Sequence, residues 1–165
     1  MDTQRQVTTG DLRDVDIFIG LSDDDLEQIA NICRRRSHQA GEHCTNQGIT
    51  SDELQIVDDG KVAIEMSIEV APFKQTLRIA TLTKGNILDF SVFLEPHTPT
   101  SSATCLEKVD TICIKSIDLE NIFKARPSME HKVMKNLVVI MGSRFRTSRI
   151  QLARFVAETV KQERK

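Results

Sequence analysis

His38, His43 and Cys44 are the densest group of metal-ligating residue types in this sequence. In an extended strand, alternation sets His43 and Cys44 on opposite faces, so one ion cannot take both, and no metal site is assigned. Cys33, Cys44, Cys105 and Cys113 have no C-x-x-C spacing and read as reduced thiols in a core. Cys105 and Cys113 are expected on neighbouring strands, where a disulfide would need matched Cα spacing and an oxidising compartment. Arg34-Arg35-Arg36 is open to a nucleic-acid or lipid reading. It is more simply a solvated helix end, placed where the negative pole of the helix dipole favours cations. No Ser-His-Asp, Cys-His or paired-carboxylate arrangement is readable, so no catalytic residue is assigned.

Composition narrows the classes further. Lys and Arg number 22 against 24 Asp and Glu, a net charge of −2, which excludes a strongly basic nucleic-acid binder for the chain as a whole. Tyr and Trp are absent, so stacking platforms for single strands are not expected. No apolar run is long enough to cross a membrane, and the polar N-terminus lacks the apolar region of a secretory signal. The cytoplasm is the default setting. Charge is uneven: residues 1–27 carry eight acids and two bases, residues 142–165 seven bases and two acids. A length of 165 residues suggests about one domain, able to bury one sizeable core.

The elements that must position any site follow from periodicity. Residues 1–10 are polar and expected to be loose. Asp11–Arg36 reads as helical, with Ser22 as N-cap, Asp23, Asp24 and Asp25 in the first turn, and Leu26, Ile29, Ala30 and Cys33 at helical spacing. Short apolar runs then alternate with turn residues: Leu54–Val57, Val62–Met66, Leu77–Leu82 and Val109–Ile114 read as strands. Asp59-Gly60 between two of them is a hairpin signal. Strands at this spacing suggest an antiparallel barrel or jelly roll. Ile117–Phe123 is a short helix ending before Pro127. From Ser128, as N-cap, a long helix runs to near Lys161. Along it Val138, Met141, Phe145, Ser148, Leu152, Phe155 and Thr159 form a heptad stripe for a partner helix, while Val133, Leu137 and Ile140 cover a second face.

This order of elements resembles the cyclic nucleotide-binding domain, the sensor half of catabolite-activator and fumarate–nitrate-regulator type proteins. The resemblance rests on Ile17-Phe18-Ile19-Gly20-Leu21-Ser22 with Leu26, on Ala40-Gly41-Glu42, Gln47-Gly48 and Asp52, on Ile56-Val57 with Gly60 and Val62, and on Leu82 with Gly85. It spans about residues 15–160. It implies an α+β fold: an antiparallel β-roll or jelly-roll barrel (a double-stranded β-helix) over residues 11–127 with flanking helices, and a dimerisation helix over residues 128–165. The regulators continue into a helix-turn-helix, which is not in this chain; it is either a stand-alone sensor or a truncated piece. Without that module no nucleic-acid contact is assigned to the chain alone.

The resemblance also implies a ligand cassette: a short helix whose N-terminal amides meet a cyclic phosphate, a Glu for the ribose hydroxyl, and an Arg for the phosphate charge. Here the segment is Gly85 to Ala103. Asp89 takes the Glu position, followed by Phe90 and Ser91. Leu88 stands where the family has Gly, bringing a branched side chain to a point of close backbone approach. The Arg position falls on Pro99 or Thr100, and residues 86–107 contain no Arg or Lys. Losing a charged hydrogen bond costs about 1.5–3 kcal/mol, one to two decades of affinity, so any binding of cyclic AMP or cyclic GMP is expected to be weak. Thr100, Ser101 and Ser102 offer hydroxyls to an anion or sugar, and His97 a charge if protonated; equally, Pro96 to Pro99 is a rigid loop with solvated hydroxyls. On the long helix, Thr147 and Ser148 stand at the level of an adenine contact, or Ser148 is a polar break that sets dimer register.

The expectation is a non-enzymatic sensor or regulatory domain, with a ligand in the barrel coupled to a homodimer seam of Val138, Met141, Phe145, Leu152 and Phe155. Two alternatives stand beside it. One is a protein-interaction module, with a partner of unknown identity, that has kept the fold and lost the nucleotide. The other is a sensor of a different small molecule such as haem. No cofactor is assigned with certainty.

Overall fold

A computed structural model of the chain describes residues 5–70 and 73–163. The chain runs through α1 (Thr9–Leu12), a 3-10 turn (Asp16–Phe18), α2 (Asp23–Ala30), β1 (Cys33–His38), β2 (His43–Thr45), β3 (Glu53–Asp59), β4 (Val62–Val70), β5 (Phe73–Leu82), a second 3-10 turn (Ser91–Phe93), β6 (Ser102–Cys105), β7 (Val109–Lys115), α3 (Ser116–Ala125) and α4 (Pro127–Glu163). The strands form two antiparallel sheets, ordered β1-β7-β3 and β2-β6-β4-β5. This is the expected α+β roll, but the sheets stay open rather than closing into a barrel.

Order begins earlier than residue 11. Val7 is buried, and the Thr8 N–H donates to Asp11 Oδ2 at 2.9 Å, capping α1. Residues 1–4 of the expected loose segment lie outside the described residues. Ser22 caps α2 as expected, accepting from the Asp25 N–H at 3.2 Å.

The helix expected over 11–36 breaks into pieces. Cys33 and the three arginines sit on β1, which pairs with β7 from Cys33↔Ile114 to His38↔Val109. That pairing overrides the helical spacing of Leu26, Ile29, Ala30 and Cys33. The arginines are therefore not a solvated helix end. Arg35, on one face, binds Asp11 at 3.0 Å and also Asp58, and Arg36 binds Glu53 at 2.9 Å. Asp59-Gly60 is not a hairpin, because β3 pairs with β7 while β4 pairs with β5 and β6. Gly60, at φ +90°, carries the chain from one sheet to the other; a Cβ there would stand 2.5 Å from the Lys108 carbonyl. The true hairpin joins β4 to β5, paired from Val62↔Leu82 to Val70↔Phe73.

Helix α4 starts at Pro127, one residue ahead of Ser128, since proline at a first helical position loses no hydrogen bond. Met129, Val133 and Leu137 are buried against Ile17 and Phe18 in the main core. Asn136 Nδ2 donates to the carbonyls of Ile17 at 3.0 Å and Ile19 at 2.9 Å, and Arg126 binds Asp24 and Asp25. From Val138 onward α4 exposes much of its apolar surface: Val138, Val139, Phe145, Ile150, Leu152, Val156 and Val160 face solvent. Of the five seam residues, Val138, Phe145 and Leu152 are exposed, whereas Met141 and Phe155 are half-buried. No helix among the described residues is long and apolar enough to cross a membrane.

Candidate ligand cavity between the cassette and helix α4

The cassette is built from its first glycine. Gly85, at φ +85°, donates its N–H to the Val57 carbonyl at 2.9 Å and accepts from the Asp16 N–H at 2.9 Å. A Cβ here would lie 2.8 Å from the Asp14 carbonyl, so only glycine lets the chain pass between β3 and the N-terminal turn. Asn86 caps this turn, accepting from the Thr83 N–H at 3.0 Å and donating to Asp16 at 2.6 Å. Ile87 and Leu88 are buried, Ile87 in the main core and Leu88 in the second cluster with Val57, Val62, Ile64 and Leu82. The branched side chain at Leu88 thus packs inward while its N–H donates to the Gln55 carbonyl at 2.8 Å.

Asp89 then caps the 3-10 turn that follows. Its carboxylate accepts from the Ser91 N–H at 3.1 Å and from the Ser91 hydroxyl. An acidic side chain therefore already holds an amide that the resemblance reserves for a ligand anion. A carboxylate has about four lone-pair sites, so Asp89 keeps acceptor capacity beyond these two bonds. Downstream, His97 Nδ1 lies 3.0 Å from the Ser91 carbonyl, and the Gly48 N–H donates to Pro99 at 2.8 Å. The Pro96–Pro99 segment is a tied loop.

A cavity of about 420 Å³ opens between this cassette and α4. Leu88, Asp89, Phe90, Ser91, Thr100 and Ser101 line it from the cassette side, and Met141, Arg144, Phe145 and Ser148 from the helix. Six of the eight cassette residues expected at a site are thus brought together. Gly85 and Ser102 are not: Gly85 shapes the turn below, and the Ser102 hydroxyl accepts from the Gln47 N–H at 3.0 Å. Of the helix hydroxyls, Ser148 lines this cavity, whereas Thr147 lines a second, outer cavity of about 680 Å³ with Asp16, Asn86 and Asn136. Both are bonded back into the helix, Thr147 to the Ser143 carbonyl at 3.1 Å and Ser148 to that of Arg144 at 2.7 Å. Met141 and Phe145, expected only in the dimer seam, line the cassette cavity.

The residue missed in the sequence is Arg144. It reaches from α4 under the cassette, donating Nη1 to the Leu88 carbonyl at 3.1 Å and Nη2 to the Ile87 carbonyl, with its Cζ 5.6 Å from the Phe90 ring centroid. It lines both cavities. Burial pushes its pKa down to about 10, with the nearby carboxylates of Asp89 and Asp16 acting in the opposite direction. The cassette's own stretch, residues 86–107, offers no Arg or Lys, and the cation comes from a distant helix. The available signal was helical: Leu137, Ile140 and Met141, Arg144 and Ser148 continue the buried face of α4 at steps of three and four.

The other sequence candidates are dispersed. His38 is buried with Nε2 3.2 Å from the Thr111 hydroxyl, and His43 Nδ1 lies 3.1 Å from that of Thr104. Among the described residues no group of three or more His, Cys, Asp or Glu is arranged for a metal, and no histidine lines the cassette cavity. Cys105 and Cys113 are not neighbours, since β6 and β7 belong to different sheets. Cys105 instead faces Cys44, sulfur to sulfur at 3.1 Å, and all four cysteines are free thiols.

No protein-family model matches the chain. It is 26% identical over 138 residues to glutaminase 1 of Bradyrhizobium diazoefficiens, which accounts for 82% of this chain and 21% of that enzyme. The chain therefore spans about a fifth of the length of the curated relative it matches. Among solved structures it is similar to a cyclic nucleotide-binding domain from Methylobacillus flagellatus KT (17% identity, 88% of this chain and 84% of that one, TM-score 0.75). It is also similar to the Thermus thermophilus catabolite activator protein (21%, 86% and 63%, TM-score 0.66). A third likeness is to the regulatory domain of Toxoplasma gondii PKA crystallised with cAMP (15%, 82% and 48%, TM-score 0.68). Two open antiparallel sheets, a cassette between β5 and β6, and a long helix closing over it give this chain the fold of the cyclic nucleotide-binding domains.

Proposed function

We propose that the chain is a regulatory, non-enzymatic sensor domain of the cyclic nucleotide-binding type, acting in the cytoplasm. In this reading a small ligand sits in the cassette cavity and its presence is passed along α4 to a homodimer seam. The observation that carries the reading is the shared wall: the same cavity is lined by the cassette and by Met141, Arg144, Phe145 and Ser148 of α4. Phe145 lines this cavity and is also 66% exposed, which supports a side chain shared between cavity and seam face. A ligand that binds more tightly to one arrangement of α4 than another shifts the population accordingly. Cyclic AMP and cyclic GMP are the first ligands to try, because the solved structures of like fold include one crystallised with cAMP.

Amide hydrogen exchange with and without millimolar cyclic AMP, and likewise cyclic GMP, tests this. The expected result is slowed exchange in residues 87–93 and 141–148 together. Protection confined to the cassette refutes coupling to α4, and unchanged exchange throughout both segments with both nucleotides refutes the sensor reading. A second reading has its own observation. Asp89 already occupies the Ser91 amide, and α4 presents exposed apolar side chains, as in a module that has traded ligand for a protein partner.

A further inference from the structure

We propose that Arg144 is the cation of the ligand cavity, supplied by α4 in place of the arginine missing from the cassette, and that it takes the single negative charge of a phosphodiester. The inference rests on the sensor reading above for the identity of the ligand, though not for the existence of the anion site.

Three observations lead there. The first is that Arg144 is held without a contact ion pair, although the carboxylates of Asp89 and Asp16 lie near enough to act on it. Its two hydrogen bonds go to neutral carbonyls, those of Ile87 and Leu88, and among the described residues it forms no salt bridge. A half-buried cation with no contact ion pair is costly to hold, and such groups are normally paired. The second is donor arithmetic. A guanidinium carries five N–H groups. Two are used, so three remain without a protein acceptor among the described residues. The carbonyl bonds and the Phe90 ring 5.6 Å away fix the plane, and a fixed guanidinium binds a phosphate oxygen pair better than a mobile one.

The third is the balance of charge on the cavity wall. Asp89 and Glu95 line the same cavity as Arg144, and no other Lys or Arg does. A doubly charged phosphomonoester would face two carboxylates with one cation. A phosphodiester meets the same wall with one charge instead of two, so it is repelled less by Asp89 and Glu95 and a single guanidinium can hold it, while Asp89 retains lone pairs for a sugar hydroxyl. The anion contact would then be made by the helix that also carries the exposed seam residues. Charge recognition and transmission would thus share one element.

The test follows the Arg144 side-chain Nε–Hε resonance in the 15N-labelled full chain, assigned by its loss in Arg144→Met. Dimethyl phosphate serves as a bare phosphodiester, cyclic AMP as the nucleotide, and adenosine as its uncharged counterpart. The expected result is a saturable shift of the Arg144 signal with dimethyl phosphate and cyclic AMP but not with adenosine. Arg144→Met should weaken cyclic AMP about ten- to a hundred-fold and leave adenosine unchanged, with Arg144→Lys in between. Should cyclic AMP move other cavity resonances while Arg144 stays still, or Arg144→Met weaken adenosine equally, the role of Arg144 is overturned and the sensor reading survives. If dimethyl phosphate shifts Arg144 while cyclic AMP and adenosine bind nowhere, the anion site stands and the nucleotide reading falls. A silent Arg144 with every probe overturns the proposal outright.

Discussion

Replacing Leu152 with arginine should break the proposed dimer without harming the fold. Leu152 lies outside both cavities and is 47% exposed, so α4 leaves about half of its side chain for a partner. Full burial of a leucine is worth about 1.5–3 kcal/mol, so ~1 kcal/mol is available at this position in each protomer. A two-fold seam sets the residue against its own mate, so both copies count, for ~2 kcal/mol in all. Arginine forfeits that and opposes two like charges, which adds at least ~1 kcal/mol of repulsion at close range even in water. The sum of ~3 kcal/mol corresponds to a dimer weakened by about two decades. Val138→Arg, at a position 68% exposed and also outside the cavities, should act in the same way. Sedimentation over a concentration series reads the dissociation constant, and thermal unfolding at low concentration checks that the monomer is intact. A monomeric wild-type chain, or variants that dimerise as tightly as wild type, would refute the seam.

Three further predictions concern the parts that hold the site. Gly85→Ala forces a Cβ to 2.8 Å from the Asp14 carbonyl at a positive φ, and should cost at least ~2 kcal/mol, a fall in Tm of roughly 4–8 °C by calorimetry. Burial raises the Asp11 carboxyl, but hydrogen bonds from Thr8 and the charges of Arg35 and Arg5 outweigh it and hold the group below its ordinary 3.8. A depressed carboxyl stabilises the fold above its unfolded value and loses that contribution as pH falls through the folded one. The urea midpoint should therefore drop below about pH 4, and Asp11→Asn should make that drop shallower; an unchanged slope would refute the assignment. Burial pushes the Cys44 thiol up, with the Cys105 contact next in effect, and burial also raises Cys105. Neither should be alkylated by iodoacetamide at pH 8 while the protein is folded, whereas both should react fully in denaturant.

Local patterns made most elements legible, and non-local ones hid the rest. Leu54–Val57, Val62–Met66, Leu77–Leu82 and Val109–Ile114 fall on β3, β4, β5 and β7 because each is a short run rich in apolar and β-branched residues set between turn residues. Cys33 to Arg36 reads as helical because its partner strand β7, and the carboxylates of Asp11, Glu53 and Asp58 that take its arginines, lie far away in sequence. Asp59-Gly60 carries the residues of a hairpin, yet its strands part into different sheets, which no local signal records. The cavity shows the same division. Leu88 to Ser91 were found by their place in the cassette, while Arg144 lies more than fifty residues away and reaches its neighbours only once Met129, Val133 and Leu137 have seated α4.

A sensor of this type requires that the cassette cavity take a cyclic nucleotide. Titration calorimetry of the chain with cyclic AMP and cyclic GMP at modest salt tests it most directly. With Arg144 supplying the charge, the prediction is saturable heat, one ligand per chain, and a Kd below ~100 µM, about −5.5 kcal/mol. No heat, and no rise in Tm at millimolar concentrations of either nucleotide, would contradict the account and leave a fold retained for a different partner.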